Sequence, residues 1–146
     1  MSTPILLSGA IKRFIEDVLS DYVSEQVQVH EGYLPSKTAE NINTPDYPYV
    51  IVRLHTGDAQ DSGHVVNVLL YFGTKSDDDE GFKDVLNVME HVRIALLKQR
   101  VIEKRFRMEL PYSWELFEGQ PQPEWVGMAK TKWTLPAVLE EVPFDY

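Results

Sequence analysis

Two neighbouring strand patterns constrain the fold of this chain more than any other feature. Residues 48–56 place apolar side chains on one face, and residues 64–73 are apolar at nearly every position. The segment 57–63 between them is dense in Gly, Asp and Ser, which are typical of turns. A nearly continuous apolar run indicates a strand that is buried on both faces. The sequence therefore predicts a β-hairpin whose second strand lies in the middle of a sheet.

Two segments with helical periodicity stand before and after this hairpin. The first covers residues 8–25, with Ser8 as its expected N-cap. The second covers residues 79–99, with the acidic run 77–80 at its start and basic residues at its end, as the helix macrodipole favours. The expected apolar stripes are Ile11, Phe14, Ile15, Val18, Leu19, Tyr22 and Val23 in the first helix, and Phe82, Val85, Leu86, Met89, Val92, Leu96 and Leu97 in the second.

The rest of the chain has the patterns of short strands and loops. These segments are a strand at 27–33, a long polar loop at 34–47, an extended segment at 101–117 interrupted by Pro111, a loop at 118–123, a strand at 125–135 and an extended tail at 136–146. The order α-β-β-β-α-β-β predicts an α+β fold, with a mainly antiparallel sheet and two amphipathic helices packed on one face. Its length of 146 residues is that of a single domain spanning 1–146.

Composition excludes several classes of protein. A hydrophobic content of 43% is too high for a disordered acidic tail, and the lack of cysteine excludes disulfides and thiolate sites. No window approaches the roughly 18 apolar residues of a membrane span, and the first residues lack the basic region of a signal peptide. We therefore expect a soluble, intracellular protein that does not contact a membrane.

Two groups of side chains contain residue types that can bind metal ions. His55, His64, Asp58 and Asp61 surround the predicted hairpin turn, and the run Asp77, Asp78, Asp79 and Glu80 precedes the second helix. Neither group has the ligand spacing of a zinc site or of an EF-hand loop. Solvent-facing turn residues account for the first group, and stabilisation of a helix N-terminus accounts for the second. We expect no metal and no cofactor.

Catalytic and nucleic-acid motifs are also weak. The chain has no nucleophile elbow and no glycine-rich turn that would cradle phosphates, so we expect no enzymatic activity. Lys130 and Lys132 lie between Trp125 and Trp133, which resembles a strip for single-stranded nucleic acid. The two Trp residues, however, fall on one strand face and the two Lys residues on the other, and a formal net charge of −9 disfavours phosphate binding.

A series of structural motifs lies between residues 47 and 136. They are Tyr71-Phe72-Gly73-Thr74, the helical stretch Glu80 to Arg93 with Ala95-Leu96-Leu97, the segment Glu109 to Leu116, the turn Gln120 to Gly127, and the ending Trp133-Thr134-Leu135-Pro136. Together these motifs resemble the tail terminator (tail completion) proteins of tailed phages and prophages, in which the helix reads roughly GxxDxLNLxExIRxxLL. The resemblance covers roughly residues 47–136.

The resemblance implies a structural role in the virion. Such proteins form a ring, commonly a hexamer, on the finished tail tube, where they stop polymerisation and present a surface to the head. The implied partners are further copies of the chain, the tail tube protein, the head–tail connector proteins and the passing genomic DNA, with assembly in the bacterial host cytoplasm. A neck or head–tail connector protein, a small α+β binding or catalytic domain, and a host-directed accessory protein remain alternatives.

The negative charge acquires a possible role in such a ring. An acidic lumen would repel DNA phosphates and let the genome pass without being held. The expected lumen or interface residues are Asp58 and Asp61 in one turn, or Asp77, Asp78, Asp79 and Glu80 in the other.

Overall fold

The computed structural model describes residues 2–21, 26–119 and 122–141, and within them it has the predicted α+β fold. Its elements are α1 (Pro4–Leu19), β1 (Gln28–Glu31), β2 (Tyr49–Gln60), β3 (Gly63–Lys75), α2 (Phe82–Lys98), β4 (Val101–Ile102), β5 (Phe106–Leu116) and β6 (Glu124–Leu135). The predicted order of two helices and five strands is confirmed. The structure adds the strand β4, which was not predicted because two residues are too few to show a strand pattern in the sequence.

One six-stranded sheet, in the order β1-β2-β3-β6-β5-β4, forms the first layer of the fold. Among the described residues, β1 and β2 are parallel and every other strand pair is antiparallel. The strand β3 lies between β2 and β6, as its apolar run predicts. Its outward residues are only half-buried, however, because no second layer covers that side in the described part of the chain.

Both helices form the second layer on one face of this sheet. Their buried residues join a single core with the inward residues of β2, β3, β5 and β6. The largest members with almost no exposure are Trp133, Phe72, Phe106, Leu7, Ile11, Ile15 and Leu70. Burying these apolar stripes on one sheet face is the main source of stability for such a two-layer arrangement.

The N-terminal helix begins earlier than the sequence pattern predicts. Thr3 is the N-cap, its hydroxyl accepts a hydrogen bond from the Leu6 N–H at 3.2 Å, and Pro4 occupies the first turn. The expectation that Ser8 is the N-cap is therefore wrong. Ser8 is instead buried in α1, and its hydroxyl donates to Glu31 of β1. Tyr22 and Val23, predicted to continue the stripe, lie outside the described residues.

The hairpin of β2 and β3 is longer than predicted. Both strands continue to a two-residue turn at Asp61 and Ser62. Asp58, expected in the turn, is a strand residue opposite Val65, so the predicted turn boundaries at 57–63 are wrong. Turn-forming residue types are compatible with exposed strand ends, and pairing with β3 outweighs their propensity here.

The segment containing Pro111 forms an interrupted strand, as predicted. The pairing of β5 with β6 shifts register between Glu109 and Ser113. Phe106 and Met108 are buried on the helix side, whereas Leu110 is 53% exposed at the shift. Proline cannot donate to a strand ladder, so the irregularity falls where the sequence places it.

Candidate interaction surfaces

The turn between β3 and α2 carries the acidic run Asp77 to Glu80. The Asp78 carboxylate accepts a hydrogen bond from the Glu80 N–H at 2.9 Å, and the Asp78 carbonyl accepts one from the Gly81 N–H at 3.0 Å. Any Cβ at Gly81 would overlap the indole of Trp125. The Trp125 indole N–H in turn donates to the Ser76 carbonyl at 3.0 Å. The turn is therefore a defined structure that is held against β6.

Further carboxylates gather at this end of the sheet, which we call the acidic end. It is defined by Asp46, Asp77, Asp78, Asp79, Glu80, Asp84, Glu118 and Glu124, with Lys37, Lys75 and Lys83 as its cations. Lys37 pairs with Asp46 at 3.0 Å, and Lys83 pairs with Glu80 at 3.1 Å. Carboxylates outnumber lysines here, so the acidic end carries much of the formal net charge of −9.

A cleft of about 630 Å³ opens beside the acidic end. It lies between the loop before β2, the ends of β3 and β6, and the first turns of α2. Thr74 is 7% exposed and faces this cleft, and its hydroxyl has no hydrogen-bond partner among the described residues. Burial raises the pKa of the Tyr47 hydroxyl, and the nearby Tyr49 and Glu124 raise it further, with Tyr47 donating a hydrogen bond to Glu124. The Thr74 hydroxyl is thus the group in the cleft that lacks a partner among the described residues.

The other acidic turn lies at the opposite end of β3. A strand of 13 residues is roughly 40 Å long at its usual rise per residue, so the turn at Asp61 is far from Asp77. Asp58 accepts a hydrogen bond from the Gln60 side chain at 2.8 Å. The fold therefore does not bring the two predicted acidic groups together, and it gathers further carboxylates around only one of them.

The histidines near the hairpin turn do not face each other across it. His64 is paired with Ala59, while His55 lies at a register shift of β2. Among the residues that the structure describes, no three His, Asp or Glu side chains are grouped as metal ligands. Within the same residues, no helix is long and apolar enough to cross a membrane.

The face of the sheet that lies opposite the helices is the second notable surface, and we call it the open face. It is formed by the outward residues of β2, β3 and β6, including Ile51, Arg53, Leu69, Tyr71, Met128, Lys130 and Lys132. The Arg53 guanidinium lies 4.2 Å from the ring centre of Tyr33 and 4.5 Å from that of Tyr71. This cation is therefore held between two aromatic rings.

A hollow of about 250 Å³ lies on the open face beside this stack. Leu69 and Met128 contribute its apolar surface, while His55, Asn67 and Lys130 contribute polar groups. The apolar run of β3 concealed this surface, because such a run indicates burial on both faces; that expectation is wrong, since the outward residues of β3 are only half-buried. The available signal was the series of polar residues at Arg53, Lys130 and Lys132, which mark a side open to water.

The alternation of Trp and Lys in β6 has the predicted geometry. Trp125 and Trp133 lie on the helix side and are 9% and 0% exposed, whereas Lys130 and Lys132 are exposed on the open face. Stacking of bases requires accessible aromatic rings, so these two Trp residues cannot serve a nucleic-acid strip in this fold.

His30 gives the fold a predictable response to acid. Its Nε2 is buried without a hydrogen-bond partner in the described part of the chain. Burial lowers the pKa of His30 below its ordinary 6.5, Lys12 lowers it further, and Asp46 acts in the opposite direction. The unfolded chain therefore takes up this proton more readily than the folded chain, and the contribution of His30 to stability decreases as the pH falls below about 6.5.

We expect the change His30→Gln to reduce the loss of unfolding free energy between pH 7.5 and pH 5.5, as measured by urea denaturation. The matched control is His55→Gln, because His55 is exposed. If both variants lost the same stability as the unmodified protein over this range, the assigned role of His30 would be wrong.

Comparisons with known proteins support the fold and leave the family open. No family model matches the chain, and no curated protein matches it. Among solved structures, one chain from the "Virion of native gene transfer agent (GTA) particle" is similar, with a TM-score of 0.53 and 14% identity. The match covers 93% of this chain and 100% of that chain. At this identity the likeness establishes a shared fold over the matched part of the chain.

Proposed function

We propose that this chain is a non-enzymatic virion assembly protein that caps a phage tail tube as a ring and joins it to the head. The observation that carries the proposal is the fold, which over nearly the whole chain is similar to that of a chain in a gene transfer agent virion. The motifs of residues 47–136 that resemble tail terminators point to the same role independently of the fold.

The distribution of charge supports a position around a DNA channel. The acidic end is one contiguous region, whereas Asp58 and Asp61 lie at the far end of β3. We therefore place the acidic end, and in particular Asp77 to Glu80, toward the lumen of the ring. Carboxylates in a narrow channel repel phosphates and keep a passing genome from adhering.

Exposed apolar side chains support association with copies of itself and with the tube. They include Ile5, Tyr33, Ile42, Leu110, Trp114, Val138 and Leu139, with exposures from 46% to 93%. Single exposed apolar residues are ordinary, but aromatic and large aliphatic side chains are also the usual anchors of protein interfaces. The assembly that the resemblance to tail terminators implies is a hexamer.

Growth of the tail tube gives a direct test. The tube subunit of the same particle is allowed to polymerise with and without substoichiometric amounts of this protein, and tube lengths are measured by electron microscopy. We expect rings at one tube end and shorter tubes, because a capped end cannot add subunits. Unchanged tube lengths would contradict the proposal, and binding to head connectors without an effect on growth would favour a connector protein instead.

A further inference from the structure

The chain leaves β6 through residues 136–141, which form neither helix nor strand and which we call the arm; all of them except the half-buried Ala137 are exposed. Val138 is 93% exposed and Leu139 is 86% exposed, and the two acids that follow, Glu140 and Glu141, are also exposed. The arm therefore combines large apolar side chains with negative charge. Its apolar groups gain free energy only if another surface covers them.

The open face has the complementary properties. Its hollow of about 250 Å³ has Leu69 and Met128 in its lining and Lys130 at its rim. Lys130 and Lys132 are exposed, and among the described residues neither forms an ion pair. Being two residues apart on one strand, these lysines are roughly 6.6 Å apart along it.

We infer that the arm of one copy docks on the open face of a second copy, with Leu139 in the hollow and Glu141 beside Lys130 and Lys132. In an extended arm, residues 139 and 141 point to the same side and have the same spacing as two alternate strand residues. A single register then buries the Leu139 side chain in the hollow and brings the Glu141 carboxylate close to the two lysines. The inference rests on the proposed function, and it names the contact that joins neighbouring subunits of the ring.

The symmetry of this contact is the one that a ring requires. The arm and the open face are different patches of the same chain, so each copy donates an arm to one neighbour and accepts an arm from the other. Head-to-tail contacts of this kind close into rings when the rotation between copies closes. A contact between identical patches would give only a dimer.

Introduced cysteines test the contact directly, because the natural chain contains none. A variant with Leu139→Cys and Lys130→Cys is oxidised and run on a non-reducing gel. We expect disulfide-linked dimers and higher ladders, with Leu139→Cys and Leu110→Cys as the matched control, since Leu110 is exposed but does not line the hollow. A disulfide confined within single chains would overturn docking between copies, and so would ladders of equal yield in the control.

Reversal of charge provides a second, independent test. We expect Glu141→Lys to raise the concentration at which half the protein is assembled by about tenfold, as measured by light scattering. Adding Lys130→Glu and Lys132→Glu to that variant should restore assembly. Rings that form normally after removal of residues 136–146 would overturn this inference and leave the proposed function standing. Disulfide ladders from a protein that has no effect on tube growth would support the contact between copies and contradict the proposed function.

Discussion

Replacing Trp133 by alanine should destabilise the protein more than any other single change to its described core. Trp133 is the largest side chain with 0% exposure, and it lies on β6 between the sheet and the helices. Its indole N–H donates to the Thr131 hydroxyl at 2.9 Å, and that hydroxyl donates to the Val68 carbonyl at 2.8 Å. The substitution therefore opens a cavity and removes a buried hydrogen bond.

We expect Trp133→Ala to lower the free energy of unfolding by about 3–5 kcal/mol, as is usual for buried Trp or Phe truncated to alanine. For a chain of this size that corresponds to a fall in Tm of roughly 6–20 °C. Urea denaturation and calorimetry both measure the effect. Tube capping should be lost at any temperature where the variant is largely unfolded.

The matched control is Trp114→Ala, because Trp114 is on the neighbouring strand β5 but is 46% exposed. A partly exposed side chain leaves little or no cavity, so we expect a cost of about 1 kcal/mol or less. Trp114 is paired with Ala129 and lies on the same side of the sheet as Trp133, so the two residues differ in burial rather than in face. Equal destabilisation by the two substitutions would therefore contradict the assignment of Trp133 to the closed core.

The elements of the fold were predictable from sequence where long periodic patterns carry the information. The stripe of α2 and the alternation in β6 specify which faces are buried, and the structure confirms the alternation in β6. In α2 it confirms the stripe from Val85 to Leu97, with Leu86 and Leu97 partly buried. The inclusion of Phe82 in that stripe is wrong, because Phe82 is 38% exposed at the first position of the helix. Pairing between distant segments was not encoded in any pattern of that kind. The parallel contact of β1 with β2 depends on the loop between them, whose polar sequence gives no register.

The ends of the elements were less predictable because caps compete locally. Thr3 and Ser8 are both acceptable N-cap residues, and the apolar residues 5–7 between them fit a helix or a preceding segment. The buried position of Leu7 decides in favour of Thr3, since Leu7 is a core residue of α1. Such tertiary contacts cannot be read from the cap residue itself.

The surfaces that we assign to function were only half predictable. The acidic run at 77–80 is visible in sequence, but its union with Asp46, Asp84 and Glu124 depends on the antiparallel order of β3 and β6. The open face was not predictable because its half-buried residues, such as Leu69 and Tyr71, are of the same apolar and aromatic types as fully buried residues. Only the structure shows that no helix covers them in the described part of the chain.

If the chain forms the proposed ring around DNA, the charge of the acidic end should decide whether DNA adheres to that ring. The variant Asp77→Lys with Asp79→Lys changes the charge by four units per subunit, and it leaves the Asp78 carboxylate that orders the turn. Six copies in a ring would then surround the channel with twelve new cations. Cations that neutralise phosphates give non-specific DNA binding with dissociation constants of about 10⁻⁴–10⁻⁶ M.

We expect the variant to retard duplex DNA in gels at 50 mM salt, and to lose about tenfold or more of that affinity at 200 mM salt. Particles that carry it should assemble but deliver their DNA poorly, because the genome is held in the channel. The matched control is Asp58→Lys with Asp61→Lys, which makes the same change of charge at the far end of β3.

The two variants also lose equivalent hydrogen bonds. Asp79 accepts a hydrogen bond from the side-chain amide of Gln122, and Asp58 accepts one from the side-chain amide of Gln60. The loss of such a hydrogen bond is therefore common to both variants, and only the position of the charge differs. If the two variants delivered DNA equally well, the acidic end would not face the lumen. If only the control variant failed to deliver DNA, the hairpin turn would face the lumen instead.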